Sequence, residues 1–438
     1  MRWGQLYGSA ASLWLAEAAR QAAGPILLIA ADAREAARFE EELRFFCPAD
    51  AYIASFPDWE TLPYDLFSPH PDIVSQRLRL LANLPRLGQG AGKQQSIVIV
   101  DLETLLQRLA PRAYIDAHAF DLPVGQTLDV AAFRERLIGA GYVASSQVMM
   151  PGEFAVRGSL IDLFPMGSDT PYRIDLFDEE VESIRTFDPE TQRSGERVDA
   201  LRLLPAREFP LTAEGIQHFK RRFRNRFEGD LSGMPMYRDI AAGAPPAGIE
   251  YYLPLFFDET ATLLDYLPAN TVIAAPTGVT ALAEQAFADI EARYEQRRHD
   301  RDRPVLAPAE LFMPPAEVAE RLAGFRLLEI SRVELDPLTE PLPHRNFATR
   351  PPPRLPIDPR AEEPARELAG FFREFCAQAG GRALIAAESA GRREMLLDIL
   401  RRQHVTPMPV ERWSDFMAGD SPIAITVSPI VTGLLLET

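Results

Sequence analysis

Three runs of consecutive apolar residues, PILLIAAD (Pro25 to Asp32), SIVIVD (Ser96 to Asp101) and TVIAA (Thr271 to Ala275), show no alternation with polar residues. A strand with one wet face alternates with period two, so these runs describe strands buried on both faces. Helical patterns lie around them, at Ser9 to Ala23, Ala33 to Phe46, Ala213 to Phe227 and Ala281 to Arg298, and another strand, FRLLEIS, falls at Phe325 to Ser331. Strand and helix in alternation predict an α/β fold built on a parallel sheet with helices on both sides.

Between these segments the pattern changes. From about Asp121, after a helix near Leu128 to Gly139, come short runs rich in β-branched and aromatic residues: FAVRGSLIDLFP, YRIDLFD, VESIRTF and VDALRLLP. Gly, Pro and Asp turns separate them, which predicts an antiparallel α+β insertion. The 438 residues exceed the roughly 250 to 300 at which one core stops growing. The expected order is therefore 1–120 and 209–334 as two parts of one α/β domain, with 121–208 inserted. Residues 335–364 hold DPLTEPLPHRNFATRPPPRLPIDPRAEEP, whose prolines predict an extended surface linker. A small α/β unit is expected over 365–438, with a helix from Ala365 to Ala379, the strand RALIAAES, a helix near Arg392 to Arg402 and the strand IAITVSP. The stop at LLLET, on a strand-like segment, reads as the end of a fragment of a longer protein.

Charge and chemistry narrow the function. A net charge of −17 opposes tight sequence-independent DNA binding, which needs many cations to displace counterions, and favours a protein partner. The run KRRFRNRF (Lys220 to Phe227) is a candidate phosphate-backbone contact, but as an isolated run it reads better as the solvated face of a helix. Cys47 and Cys376 lack metal-ligand spacing and read as structural thiols in a reducing cytoplasm. His70 is expected in a turn and His218 on a helix, neither in a ligand pattern. With no signal peptide and no bilayer-length apolar stretch, the expected location is the cytosol.

An α/β sheet invites nucleotide chemistry, but the motifs fail. GQGAGKQ (Gly88 to Gln94) has glycines and Lys93, yet Gln94 replaces the metal-binding Ser or Thr and the segment precedes a strand. Asp258 and Glu259 in LFFDETATL resemble a magnesium-holding pair, but the pattern predicts that they open a helix near Thr260, where acids act as caps. No cofactor and no metal are expected.

The insertion carries the remaining signal. In YRIDLFD, Tyr172, Ile174 and Leu176 share one face of a strand and force Arg173, Asp175 and Phe177 onto the other. In FAVRGSL, Phe154, Val156 and Leu160 are placed on the apolar face, with Arg157 opposite. A face bearing Arg157, Arg173 and Phe177 has the residue types enriched at interface hot spots. The alternative is equally open at this point: Phe177 packs under a loop, and the arginines pair with acids such as Asp175 or Glu179.

Longer strings resolve the family. FPDWETLPYD and FSPHPDIVSQRL (Phe56 to Leu78), PGEFAVRGSLIDLFPMGSDTPYRIDLFD (Pro151 to Asp178), SIRTFDPETQRS (Ser183 to Ser194), LLPAREFP (Leu203 to Pro210) and GIEYYLPLFFDETATLLDYLP (Gly248 to Pro268) resemble the N-terminal region of the bacterial transcription-repair coupling factor (Mfd) family. The likeness covers roughly the first 330 residues, and the last small domain is similar to the one that precedes the polymerase-binding domain. The resemblance implies a UvrB-like fold, a degenerate RecA-like domain carrying a UvrA-binding insertion. It also implies that the first strand-helix connection, LYGSAASL (Leu6 to Leu13), has lost GK[ST], and that TVIAAPTGV (Thr271 to Val279) has lost its acidic pair. The tyrosine-rich hairpin with which UvrB clamps DNA is expected to be missing as well. By the same likeness, Arg157, Arg173 and Phe177 contact UvrA, in competition with UvrB. RNA polymerase and DNA would be reached only through domains outside this chain. An ATP-dependent DNA translocase or helicase is the rival reading.

Overall fold

The computed structural model describes residues 1–88, 94–228, 233–355, 357, 365–377 and 381–436. Among them, seven strands form one all-parallel sheet, in the order His344–Asn346, Arg2–Gly4, Arg326–Ile330, Val272–Pro276, Ile26–Ala30, Ser96–Asp101, Tyr52–Ser55. The continuous apolar runs are explained by two separate cores. Ile26, Leu28, Ile97 and Ile99 face a cluster with the helices Ala10–Gln21 and Ala33–Phe46, while Leu27, Ile29, Val98 and Val100 face the other side. Local signals fix the helix starts. The Asp32 carboxylate, two residues past its strand, accepts the Glu35 N–H at 2.7 Å, and Asp101, the last residue of its strand, accepts that of Thr104 at 3.0 Å, so each caps the next helix.

The insertion is a six-stranded sheet ordered Ser194–Val198, Glu180–Phe187, Tyr172–Phe177, Leu160–Leu163, Glu153–Arg157, Val143–Ala144. All neighbours are antiparallel except the last pair. The helix Val130–Gly139 covers one face through buried Phe133 and Leu137. The strands entering and leaving the insertion, Phe120–Pro123 and Ala200–Leu203, pair with each other and hold its two ends together. Its apolar face, with Ile161, Ile174 and Ile184, is continuous with the larger core of the α/β domain.

The seam between the two also carries buried charge. The Arg77 side chain is fully buried, donates to Glu208 at 2.7 Å and to the Pro57 carbonyl at 2.8 Å, and lies over the Phe56 and Trp59 rings. Glu250 accepts from Ser68 at 2.8 Å, and burial pushes its carboxyl up to about 7. Gly141, Met150, Glu153 and Met166 of the insertion meet Val74, Glu208 and Glu250 around a cavity of about 310 Å³ at this seam.

The expected linker over 335–364 needs correction in its first half. His344–Asn346 is an edge strand of the seven-stranded sheet, Phe347 is buried against Trp3 and Trp14 with ring centroids 5.0 and 4.7 Å away, and Thr349 is fully buried. The prolines flank these residues without interrupting them, so an edge position accommodates the segment. Most of its second half, 356 and 358–364, lies outside the described residues.

The last unit has a three-stranded parallel sheet, Ala383–Ala387, Ile423–Val427, Met408–Pro409, with helices Arg366–Ala377 and Ala390–Arg402. It rests on the first domain. Trp413 stacks edge-on against Phe46 at 5.3 Å, and Leu435–Leu436 pairs antiparallel with Thr349–Arg350.

Candidate functional site

Residues directly opposite each other in a sheet point to the same side. The register therefore builds the candidate face row by row. Ala155, Asp162 and Arg173 are successive partners in one row, and Arg157, Leu160 and Asp175 in the next. Arg157, Arg173 and Phe177 thus share one face, as the alternation predicts. Leu160 joins them, which corrects its expected place beside Phe154 and Val156. The turn at Gly158 and Ser159 makes Leu160 the direct partner of Arg157, while Phe154 and Val156 pair with Leu163 and Ile161 on the apolar side.

The three residues differ in what they offer. Phe177 ends its strand, pairs with Glu180 across the tight turn at Asp178 (φ 53°), and leaves 69% of its surface exposed. Among the described residues no loop covers it, which removes the reading of a packed core ring. Arg157 has a half-exposed side chain, donates to the Ser146 carbonyl, and lies 3.7 Å from Asp162. Arg173 is mostly covered. Its Nε and Nη2 grip the two Asp162 oxygens at 2.7 and 3.0 Å, and its guanidinium lies 4.9 Å from the Phe187 ring centre. The buried Asp162 carboxylate holds Arg173 above its ordinary pKa, mainly through these hydrogen bonds. Neither Asp175 nor Glu179 takes the expected role of partner, and Asp175 accepts from Ser183 instead. Asp162 is the residue that sequence reasoning missed. It looks like one polar position of an alternating strand, and only the register shows that it anchors both arginines. At the far end of this face from Phe177, Val148, Ala155, Phe164 and Phe187 form a small second core.

The connection from the strand Arg2–Gly4 to the helix Ala10–Gln21 is where a phosphate loop would cradle an anion with free backbone N–H groups. Here those donors are engaged within the chain. The Leu6 N–H donates to the Ser331 carbonyl, Tyr7 to the Thr349 hydroxyl, and Ser9 to the Thr432 carbonyl. Gly8 sits at φ 57°, and a side chain there would run into the carbonyl oxygens of Thr432 and Gly433. Ser12 donates to a buried carboxylate, Glu42, at 2.5 Å; Arg38 pairs with the same carboxylate, and burial raises its pKa. A negative group in that position disfavours a phosphate. Val272–Pro276 likewise ends on Ala274, Ala275 and Pro276, without an acid.

The other candidates settle into structural places. Residues 89–93 of the glycine-rich near match lie outside the described residues. Asp258 and Glu259 occupy a bend and do not open a helix; Thr262 and Asp265 cap the next turn instead. Asp258 lies 3.5 Å from His218 and 3.6 Å from Arg222. Within Lys220 to Phe227, Phe223 is buried against Phe227, and Arg226 pairs with Glu310. The His70 imidazole caps the helix Pro71–Asn83 by accepting from the Asp72 N–H. Cys47 is buried, which pushes its thiol up to about 12. Among the described residues no group of His, Cys, Asp and Glu is arranged to hold a metal, and no helix is long and apolar enough to cross a membrane.

Comparison with known proteins places the chain in a family. Residues 120–209 match the UvrB interaction domain, and residues 375–438 match the MFD, D3 domain. The chain is 39% identical to the transcription-repair-coupling factor of Escherichia coli K12 over 93% of its own length and 34% of that protein's. Against the Haemophilus influenzae protein of the same name it is 36% identical, over 99% of the chain and 36% of the relative. A Staphylococcus aureus relative aligns over half of the chain at 34% identity. The chain therefore spans about a third of the length of these relatives. By likeness extending over nearly all of its residues, the chain belongs to the transcription-repair-coupling factor family and corresponds to that family's amino-terminal third.

Proposed function

We propose that this chain is a non-catalytic adaptor whose α/β domain is a scaffold and whose inserted domain presents a face to the repair protein UvrA. The observation that carries this is the exposed Phe177 ring, held at the end of a hairpin in a domain similar to the UvrB interaction domain. An aromatic ring on a rigid strand loses little entropy on binding, and a neighbouring arginine fork suits an acidic rim around it. Phe177 is the anchor, Arg157 a direct contact, and Arg173 a binding residue that also fixes the platform through Asp162. A surface similar to that of UvrB implies that the two proteins compete for UvrA. Contacts with RNA polymerase, DNA and nucleotide are assigned to the two thirds of the relatives that this chain does not match.

The test is capture of purified UvrA by this chain with and without excess UvrB, beside calorimetry with ATP. Capture that UvrB displaces, with no heat of ATP binding, is the expected result. Failure to capture UvrA overturns the adaptor reading, and stoichiometric ATP binding lost on altering Gly8 to Ser12 restores the rival translocase reading.

A further inference from the structure

The row that holds Asp162 and Arg173 continues across two more strands. Arg173 is paired in register with Arg185, and Arg185 with Arg197, so three arginines stand side by side on the face that bears Phe177. Opposed side chains in adjacent strands have Cβ atoms about 4.5–5.5 Å apart, and like charges at that spacing repel. Arg173 is neutralised by Asp162. The side chains of Arg185, half-buried, and Arg197, exposed, make no hydrogen bond or ion pair among the described residues. The other acids on this face lie elsewhere: Asp175 is engaged with Ser183 in the neighbouring row, Glu153 accepts from the Met149 and Met150 N–H groups, and Glu180 sits opposite Phe177 at the turn. A charge on an edge strand can serve to prevent unwanted pairing, and that would account for Arg197, which lies on the edge strand Ser194–Val198. It does not account for Arg185, one strand further in.

Resting on the reading of this face as the UvrA-binding one, we propose that Arg185 and Arg197 form a cationic extension of it that docks an acidic surface of that partner beside the Phe177 anchor. The fold bears the repulsion of this row unrelieved, in a chain whose net charge is −17 and which could place acids there. Guanidinium forks take carboxylates two-pronged, so an acidic partner relieves the repulsion on binding and gains a fixed orientation. The division of labour follows. Phe177 supplies the apolar anchor, and Arg185 and Arg197 supply encounter rate and specificity against partners lacking the acidic patch.

The experiment measures UvrA affinity for the unaltered chain, for an Arg185→Gln, Arg197→Gln pair, for Arg197→Glu alone, and for Arg134→Gln, an exposed arginine on the helix Val130–Gly139. Each is titrated at ionic strengths of about 50 and about 300 mM, where exposed charges are weakly and strongly screened. The double variant should bind about tenfold more weakly at low salt, with the gap closing at high salt and an unchanged association when Arg134 is altered. The Arg197→Glu chain, changed only at an exposed edge, should lose as much or more, and serves if the double variant does not fold. Unchanged affinity and salt dependence in both, while Phe177→Ala abolishes binding, would overturn the cationic row and leave the face itself standing. No UvrA binding by the unaltered chain removes both. A duplex DNA titration runs alongside, and loss of DNA binding with UvrA affinity intact would reassign the row to nucleic acid.

Discussion

Replacing Arg173 and Phe177 separately by alanine should split stability from binding. Phe177→Ala removes a ring that is 69% exposed. A phenylalanine buries about 150–250 Å² when enclosed, so the third covered here represents at most about 1–2 kcal/mol of folding free energy. As a hot-spot anchor the same ring contributes about 2 kcal/mol or more to association, roughly thirtyfold in affinity. Arg173→Ala is the reverse case. It deletes both hydrogen bonds to Asp162 and leaves a carboxylate that is 2% exposed with Arg157 at 3.7 Å as its nearest remaining cation. Removing one partner of a buried pair costs about 3–5 kcal/mol, and the 16% exposure of the Arg173 side chain lowers this to about 2–4 kcal/mol. Urea denaturation followed by circular dichroism, with UvrA titration of the same samples, gives both quantities. The expected outcome is a near-normal denaturation midpoint with weak binding for Phe177→Ala, and a clearly lowered midpoint for Arg173→Ala. A chain lacking Arg173 that is as stable as the original would refute the anchoring role of Asp162. A folded Phe177→Ala chain with unchanged UvrA affinity would remove Phe177 from the interface.

Glu250 predicts a pH dependence. Its carboxyl is raised to about 7 chiefly by burial and by Glu208, against the pull of the Ser68 hydroxyl and Arg207, so the neutral form stabilises the fold fully below about pH 4.5 and that contribution is lost as pH rises through 7. Glu250→Gln should match the unaltered chain near pH 5 and exceed it by about 2–3 kcal/mol at pH 8 in urea titrations; equal stabilities at both pH values would contradict the buried carboxyl. Gly8→Ala places a side chain against the Thr432 and Gly433 carbonyls at a left-handed position, and should release the last segment, read as faster amide exchange at Leu435 and Leu436. Phe347→Ala should cost about 3–5 kcal/mol because the ring is buried against Trp3 and Trp14, whereas a residue in a free tether would be neutral in the same thermal melt.

What could be read from the sequence was what local pattern encodes. Ile26–Ala30 and residues 97–100 are apolar without a break and are followed closely by the capping aspartates Asp32 and Asp101, so strand, helix start and two-sided burial come from the same few residues. The exposure of Phe177 was legible for the same reason, because alternation along Tyr172–Phe177 is a property of one strand. Arg2–Gly4 and His344–Asn346 were not legible. Each has three residues and no apolar run; Arg2–Gly4 exists as a strand because it pairs with Arg326–Ile330 and His344–Asn346, and His344–Asn346 because it pairs with Arg2–Gly4, all across the length of the chain. The covering of Arg173 escaped too, since Asp162 becomes its partner through register, which single-strand periodicity does not contain. Near Thr260 acidic residues ahead of a short apolar run imitate a helix start, but Asp258 is drawn to His218 and Arg222 of a helix distant in sequence.

The place of Arg2–Gly4 in the sheet sets an order of events during synthesis. Both of its neighbours, Arg326–Ile330 and His344–Asn346, are made more than three hundred residues later. At about 5–20 residues per second, this strand waits roughly 15 to 70 s after its own synthesis for a partner. During that interval Ile26–Ala30, Ser96–Asp101 and Tyr52–Ser55 can assemble with one another, and the insertion can close on its own paired ends. Trp3 and Trp14 pack against Phe347, so their rings cannot be fully covered until that residue has been made.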